Sequence, residues 1–168
     1  MEKKDSQVRK IILCPVDFSG PSEMTLKHIG RYYSKDADLQ LVYVCNRNPA
    51  DCDDSGKKNL YRLFSRYIQI LNSFDCNYHL DIQGLDGYNS PADAIIAFAK
   101  SSKADTIAIG SHGETGIPYL LMGSTAETVL RNADCPVLLI KTLHEEAAAN
   151  DETDGQPEES RTEDMFWF

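Results

Sequence analysis

The sequence has no excess of positive charge, no long apolar run, no paired cysteines and no leader-like start, and each gap removes a class of function. Its 168 residues carry 17 Lys and Arg against 26 Asp and Glu, a formal net charge of -9. Nine of those acids (Glu145, Glu146, Asp151, Glu152, Asp154, Glu158, Glu159, Glu163 and Asp164) fall in residues 144–168 beside a single base, Arg161, which leaves 17 acids and 16 bases for residues 1–143. The body is therefore close to neutral, and the acidity belongs mainly to the tail. Neither part offers the basic face that nucleic acid requires, so no nucleic-acid partner is expected. No apolar run approaches the ~20 residues of a membrane span, and Met1-Glu2-Lys3-Lys4-Asp5 lacks the apolar core of a signal peptide. No membrane association and a cytoplasmic location are the expectations. The five cysteines (Cys14, Cys45, Cys52, Cys76, Cys135) are odd in number, form no C-x-x-C pair and have no metal-ligand spacing to the four histidines. They read as small buried hydrophobes with reduced thiols.

What is present is an ordinary globular composition, 42% hydrophobic and 26% charged, in a chain long enough to bury roughly two-thirds of its unfolded surface. One α/β domain over residues 1–143 and an acidic, disordered tail over 144–168 are expected. The tail's last four residues, Met165-Phe166-Trp167-Phe168, break its polar composition. They are suited to docking on this domain, on a second copy or on an unknown protein partner.

Strand and helix signals alternate along the body. Val8–Cys14 is a β-branched run that Pro15 should stop, and Ser22–Ser34 spaces Met24, Ile29 and Tyr32 or Tyr33 as a helix would. Leu39–Cys45 reads as a buried strand, and Asn46–Gly56, with three aspartates, a proline and a glycine, as a mobile loop. Lys57–Phe74 carries Leu60, Leu63, Phe64, Tyr67, Ile68, Leu71 and Phe74 at three- and four-residue intervals, an amphipathic helix. Asn77–Gly84 alternates apolar with polar residues, as an edge strand with one wet face does. Ser90-Pro91-Ala92-Asp93 supplies a cap, a proline for the first helical position and an acid in the first turn. Asp105–Ile109 is a fourth strand, Ser124–Arg131 a last helix and Pro136–Lys141 a fifth strand. Such alternation means a parallel sheet covered on both faces by right-handed crossovers.

Gly110-Ser111-His112-Gly113, nine further residues, and then Gly123-Ser124 place three glycines and a hydroxyl between a strand and a helix start. Glycine lets a ligand approach backbone amides closely, and a helix N-terminus adds unpaired donors and a positive dipole end, so the arrangement suits phosphate. The bland reading is a capping box, Ser124-Thr125-Ala126-Glu127, that starts a helix with no ligand.

Gly110 to Glu127, together with Asn132-Ala-Asp-Cys-Pro-Val-Leu-Leu-Ile-Lys141 and Ile11-Ile-Leu-Cys-Pro-Val-Asp-Phe-Ser19, closely resembles the universal stress protein family. The resemblance covers residues 9–141 and includes every fixed position of the family's nucleotide-binding pattern, G-x2-G-x9-G-[S/T]. It implies a three-layer α/β/α open sandwich, a five-stranded parallel sheet in order 3-2-1-4-5, ATP as ligand with Mg2+ held through its phosphates, and a homodimer formed through the fifth strand. It also implies roles for particular residues. Asp17 would accept from ribose hydroxyls, although it could instead cap the following helix together with Ser19. Pro15 and Val16 would contact the nucleoside, Val44 would flank the adenine, and Ile109 and Gly110 would border the same crevice from the fourth strand. Gly113, Gly123, Ser124, Thr125 and Ala126 would give amides and hydroxyls to the phosphates.

His112 would touch ligand rather than catalyse, because no second acid or nucleophile stands at a readable spacing. The resemblance thus implies a nucleotide-dependent switch or chaperone-like module, not an enzyme, with at most slow ATP hydrolysis. The related α-hydrolases carry a glycine-rich SGGxDS-like loop after the first strand, where this chain has Pro15-Val-Asp-Phe-Ser19. One departure stands inside the motif. The family often has a base after the second glycine, and this chain has Glu114. A carboxylate facing a phosphate at ~6 Å and an effective dielectric of ~20 would be repelled by about 3 kcal/mol, whereas a solvent-facing one is screened. The alternative reading follows from the first case: an interaction module of the same fold that has lost nucleotide and uses its tail for partners.

Overall fold

A computed structural model describes residues 9–45, 54–111 and 122–141. Along these the chain runs β1 (Lys10–Val16), α1 (Gly20–Tyr33), β2 (Ala37–Cys45), α2 (Asp54–Ser73), β3 (Asn77–Gly84), α3 (Pro91–Ser101), β4 (Thr106–Gly110), α4 (Ser124–Asn132) and β5 (Val137–Ile140). The five strands form one parallel sheet in the order β3-β2-β1-β4-β5. The expected α/β/α sandwich is the observed fold.

Strand alternation builds its two cores. Side chains of successive residues leave opposite faces of a strand, so Ile12, Cys14 and Val16 pack with Leu39 and Leu41 against α1 and α2. Their neighbour Leu13 turns the other way and joins Val42, Ile107 and Ile109 under α3 and α4. Leu26 and Ile29 of α1 and Phe64, Tyr67 and Leu71 of α2 are fully buried, as their helical spacing requires. Gly30 of α1 makes room for the ring of Phe74, just past the end of α2, and an added Cβ there would lie 2.6 Å from that ring. Arg66 of α2 grips the buried Glu23 of α1 through both carboxylate oxygens.

Four local expectations are corrected. Pro15 does not end β1, which continues to Val16 and pairs with β2 through Pro15↔Val42 and Val16↔Tyr43. The reason lies in which neighbour each backbone group faces. Ile11 donates its N–H to Asp105 and accepts from the Asp105 N–H, so it faces β4, and the two-residue period turns Leu13 and Pro15 the same way. The absent N–H of Pro15 is thus missing on the β4 side alone. There the ladder stops at Leu13↔Ile107.

Helix α2 starts at Asp54, so the expected loop gives up its last three residues to the helix, and positions 46–53 lie outside the described residues. Leu63 and Met24 point outward, 39% and 37% exposed, because the buried stripes run through Phe64 and Leu26, and of the two tyrosines offered for the α1 stripe Tyr33 packs on the core while Tyr32 is 62% exposed. The capping box does not form. Gly123, not Ser124, is the N-cap of α4, no side chain caps it, and the Glu127 carboxylate turns instead to Arg131 at 2.9 Å. Helix α3 begins as expected, with Ser90 Oγ accepting from the Asp93 N–H at 3.2 Å.

Candidate functional site

Each helix follows a parallel strand, so the N-termini of α1, α3 and α4 all gather at the carboxyl edge of the sheet. The strand order reverses between β1 and β4, and helices leave to opposite faces there. Such a switch point opens a crevice. Pro15 widens the opening by ending the β1–β4 ladder early. A cleft of about 310 Å³ occupies this position, at the small end of the range for ligand pockets.

Ten of the twelve residues singled out from the sequence line that cleft. Pro15, Val16 and Asp17 come from the end of β1, Val44 from β2, Ile109 and Gly110 from β4, and Gly123, Ser124, Thr125 and Ala126 from the start of α4. The remaining two, His112 and Gly113, lie outside the described residues, as do Glu114 and the tail from residue 142 onward. Four further lining residues, Ser22, Val42, Pro91 and Ile95, were not anticipated. Val42 was legible as the β2 neighbour two residues before Val44 on the same strand face. Pro91 and Ile95 become visible only when α3 is known to start beside α4.

The cleft has two chemically different sides. Val42, Val44, Ile95 and Pro91 make an apolar wall suited to a flat ring. The open first turn of α4 lines the same cleft. The three helices that reach the cleft are not alike: α1 is capped by Ser19 Oγ, which accepts from the Ser22 N–H at 3.3 Å, and α3 by Ser90, while α4 has only the glycine. The start of α4 is held in place through Ser111. Its N–H donates to the Ile140 carbonyl and its own carbonyl accepts from the Gly123 N–H, both at 2.8 Å. This pins the turn without using any donor of α4 itself.

Asp17 braces the cap of α1 and also lines the cleft. Ser19 is the N-cap of α1, and Asp17 Oδ1 accepts from the Ser19 N–H at 3.1 Å and from the hydroxyls of Ser19 and Ser22. Even so the residue remains exposed along the cleft wall. The next residue, Phe18, takes φ 62°, a left-handed conformation rare for a bulky side chain. Its ring is the anchor. It lies 4.7 Å from Tyr43, 5.0 Å from Phe64 and 5.4 Å from Tyr67, centroid to centroid. Burial pushes the Tyr67 phenol well above its usual range, with Ser22 and the Phe18 backbone beside it working against the shift. The phenol oxygen nevertheless finds no well-aligned hydrogen bond.

A second cleft of about 310 Å³ lies at the opposite edge of the sheet, between the end of α3 and the turn into β5. Ile96, Ala99 and Ile107 floor it and Lys100 pairs with Asp134 at its rim, 3.6 Å apart. None of the sequence-selected residues is there. No group of acidic, His or Cys side chains suited to a metal is found among the described residues, and no helix among them is long and apolar enough to cross a membrane.

Comparison with known proteins agrees with this architecture. The model of the universal stress protein family matches residues 9–141. Universal stress protein MJ0531 of Methanocaldococcus jannaschii is 32% identical over 143 residues, 79% of this chain and 82% of its own. The solved structure of MJ0577 from the same organism superposes with a TM-score of 0.63 at 26% identity, over 80% of this chain and 97% of that one. The fold is shared with a universal stress protein of Archaeoglobus fulgidus solved in complex with dAMP, at a TM-score of 0.60, 21% identity, and coverage of 80% and 99%.

Proposed function

This chain belongs to the universal stress protein family, and from that premise we propose that it binds an adenine nucleotide, ATP, in the switch-point cleft. Binding would make it a nucleotide-dependent switch or chaperone-like module rather than an enzyme. The observation that carries the reading is that apolar side chains and an uncapped helix start line one cleft. A purine ring suits Val42, Val44 and Ile95. A phosphate chain suits the N–H groups of Ser124, Thr125 and Ala126 and the hydroxyls of the first two, where the helix dipole favours negative charge. Asp17, in the lining of the same cleft, would accept from the nucleoside.

The residues present fit ATP, whose bound form supplies a triphosphate able to carry Mg2+. A metal held that way needs no protein cage, since Mg2+ is commonly bound through substrate phosphates. The chain's own work is to exclude water from the ring, fix the nucleoside and neutralise part of the phosphate charge. Association of two copies would run through β5, the outermost strand next to β4, whose four residues are all only half-buried. An open strand edge of this kind is suited to pairing with another chain.

Isothermal calorimetry with ATP and Mg2+ tests the reading, and no heat of binding at millimolar nucleotide would sink it. Glu114 favours the rival, a module of the same fold without nucleotide, since a carboxylate at that motif position would oppose binding if it faced the phosphates. In that case Glu114→Lys should create ATP binding that the parent lacks.

A further inference from the structure

The geometry points to Ser22 as a positioning residue that sets the orientation of Asp17 and thereby the nucleoside selectivity of the cleft, an inference that rests on the nucleotide reading above. Ser22 is five residues from Asp17, on the first turn of α1, and lies outside every motif recognised in the sequence. It lines the cleft beside Asp17 and is 8% exposed. Its hydroxyl takes part in two bonds to that one residue: it accepts from the Asp17 N–H at 3.2 Å and donates to Asp17 Oδ1. Its own N–H donates to Ser19 Oγ, and the Ser19 hydroxyl and N–H both go to the same Oδ1.

One carboxylate oxygen therefore collects three donors from a single turn of backbone, which fixes both torsions of the Asp17 side chain. The turn cannot give way easily, because Phe18 between Asp17 and Ser19 is anchored by three aromatic rings. A hydroxyl suits position 22 for a further reason. The buried Tyr67 phenol neighbours the Ser22 hydroxyl, so an apolar side chain at 22 would remove that polar neighbour as well as one donor to Asp17 Oδ1.

A carboxylate held this rigidly reads the position of a hydrogen-bond donor, not only its presence. Sites built around a fixed polar group reject analogues that lack the matching partner. The donors available on an adenine nucleotide are the ribose hydroxyls and the exocyclic amine. Without Ser22, Asp17 keeps its charge and its two bonds from Ser19 but loses one donor to Oδ1 and the acceptor of its own N–H, so its carboxylate is held less tightly. It can then turn to water when the donor is missing, and selectivity falls more than affinity.

The test is calorimetric titration of the full chain with ATP, 2′-deoxy-ATP, 3′-deoxy-ATP and ITP, for the parent, Ser22→Ala and Ser22→Thr, with urea denaturation of each variant alongside. The parent should lose about tenfold in affinity for whichever analogue lacks the donor that Asp17 reads, the worth of one hydrogen bond to a charged group. Ser22→Ala should bring that ratio to within about twofold, and Ser22→Thr should restore it. A merely structural role would lower stability and leave the ratio between analogues where it was. An unchanged ratio in Ser22→Ala overturns the inference while the nucleotide reading stands. A parent that distinguishes none of the analogues also overturns it, and a parent that binds none of them removes both.

Discussion

Replacing Gly123 by aspartate should make the fold more stable and its nucleotide affinity much weaker. Gly123 is the N-cap of α4 and sits at φ -71° and ψ 148°, a conformation open to any residue, so the substitution carries no backbone strain. An aspartate there can accept from the N–H two or three positions on, at Thr125 or Ala126, and its charge complements the helix dipole. Together these are worth about 0.5–1 kcal/mol of stability, since glycine is only a few tenths poorer as a cap and the dipole adds a comparable amount. The same carboxylate would take the donors assigned to phosphate. At ~5 Å and an effective dielectric of ~20 it would repel each phosphate charge by about 3 kcal/mol, roughly a hundredfold in Kd. Gly123→Asn isolates the charge, because it caps almost as well and has nearly the same volume. Urea denaturation without ligand and calorimetric titration with ATP would read the two effects on the same samples. If Gly123→Asp binds ATP as tightly as Gly123→Asn and the parent, phosphate does not sit at the start of α4 and the reasoning fails.

Phe18→Ala should cost about 3 kcal/mol in urea denaturation, the usual loss for an aromatic ring removed from a core. Phe18→Gly should be no less stable than Phe18→Ala, because glycine adopts φ 62° freely; a markedly worse glycine variant would mean the left-handed turn is not kept in solution. Burial, reinforced by nearby Cys76, pushes the Cys14 thiol from its ordinary 9.0 up to about 12, so the folded state holds this proton more tightly than the unfolded one. The resulting stabilisation is complete below pH ~9 and is lost as pH rises toward 12, with a slope of up to about 1.4 kcal/mol per pH unit. Between pH 8 and 10.5, Cys14→Ala should therefore lose less stability than the parent; equal losses would argue against a buried neutral thiol. Leu139→Lys, a charge on the outermost strand, should convert a dimer to a monomer in size-exclusion chromatography with light scattering, and an unaltered dimer would exclude β5 as the seam.

Much of this molecule is written in local patterns. The alternation of β-branched runs with amphipathic segments is a property of neighbouring residues, and it sufficed for nine elements of the right type in the right order. Asn77–Gly84 even has its observed bounds. Local patterns failed where two features competed within one turn of chain. Pro15 is a strand breaker only on the side where its N–H is missed, and a sequence cannot say which neighbour lies on that side. Ser124-Thr-Ala-Glu127 has the spacing of a capping box, yet the helix that starts at Ser124 as expected takes Gly123 as its cap, which Ser111 and the β5 carbonyl at Ile140 hold in place. Leu63 satisfies an approximate three-and-four count and still faces solvent, because Phe64 beside it takes the place in the core.

By itself the sequence determined the class of fold, its crossover architecture, and the two short segments, residues 15–17 and 123–126, that border the cleft. These follow from residue type and spacing, which short-range sterics and hydrogen bonding translate directly into turns, strands and helix starts. The tertiary structure alone decided that these segments line one cleft although more than a hundred residues of chain separate them, that Val42, Pro91 and Ile95 complete its apolar lining, and that Ser22 holds Asp17. Those facts depend on strand order and on how far each helix is rotated about its axis, both set by packing between residues distant in the chain.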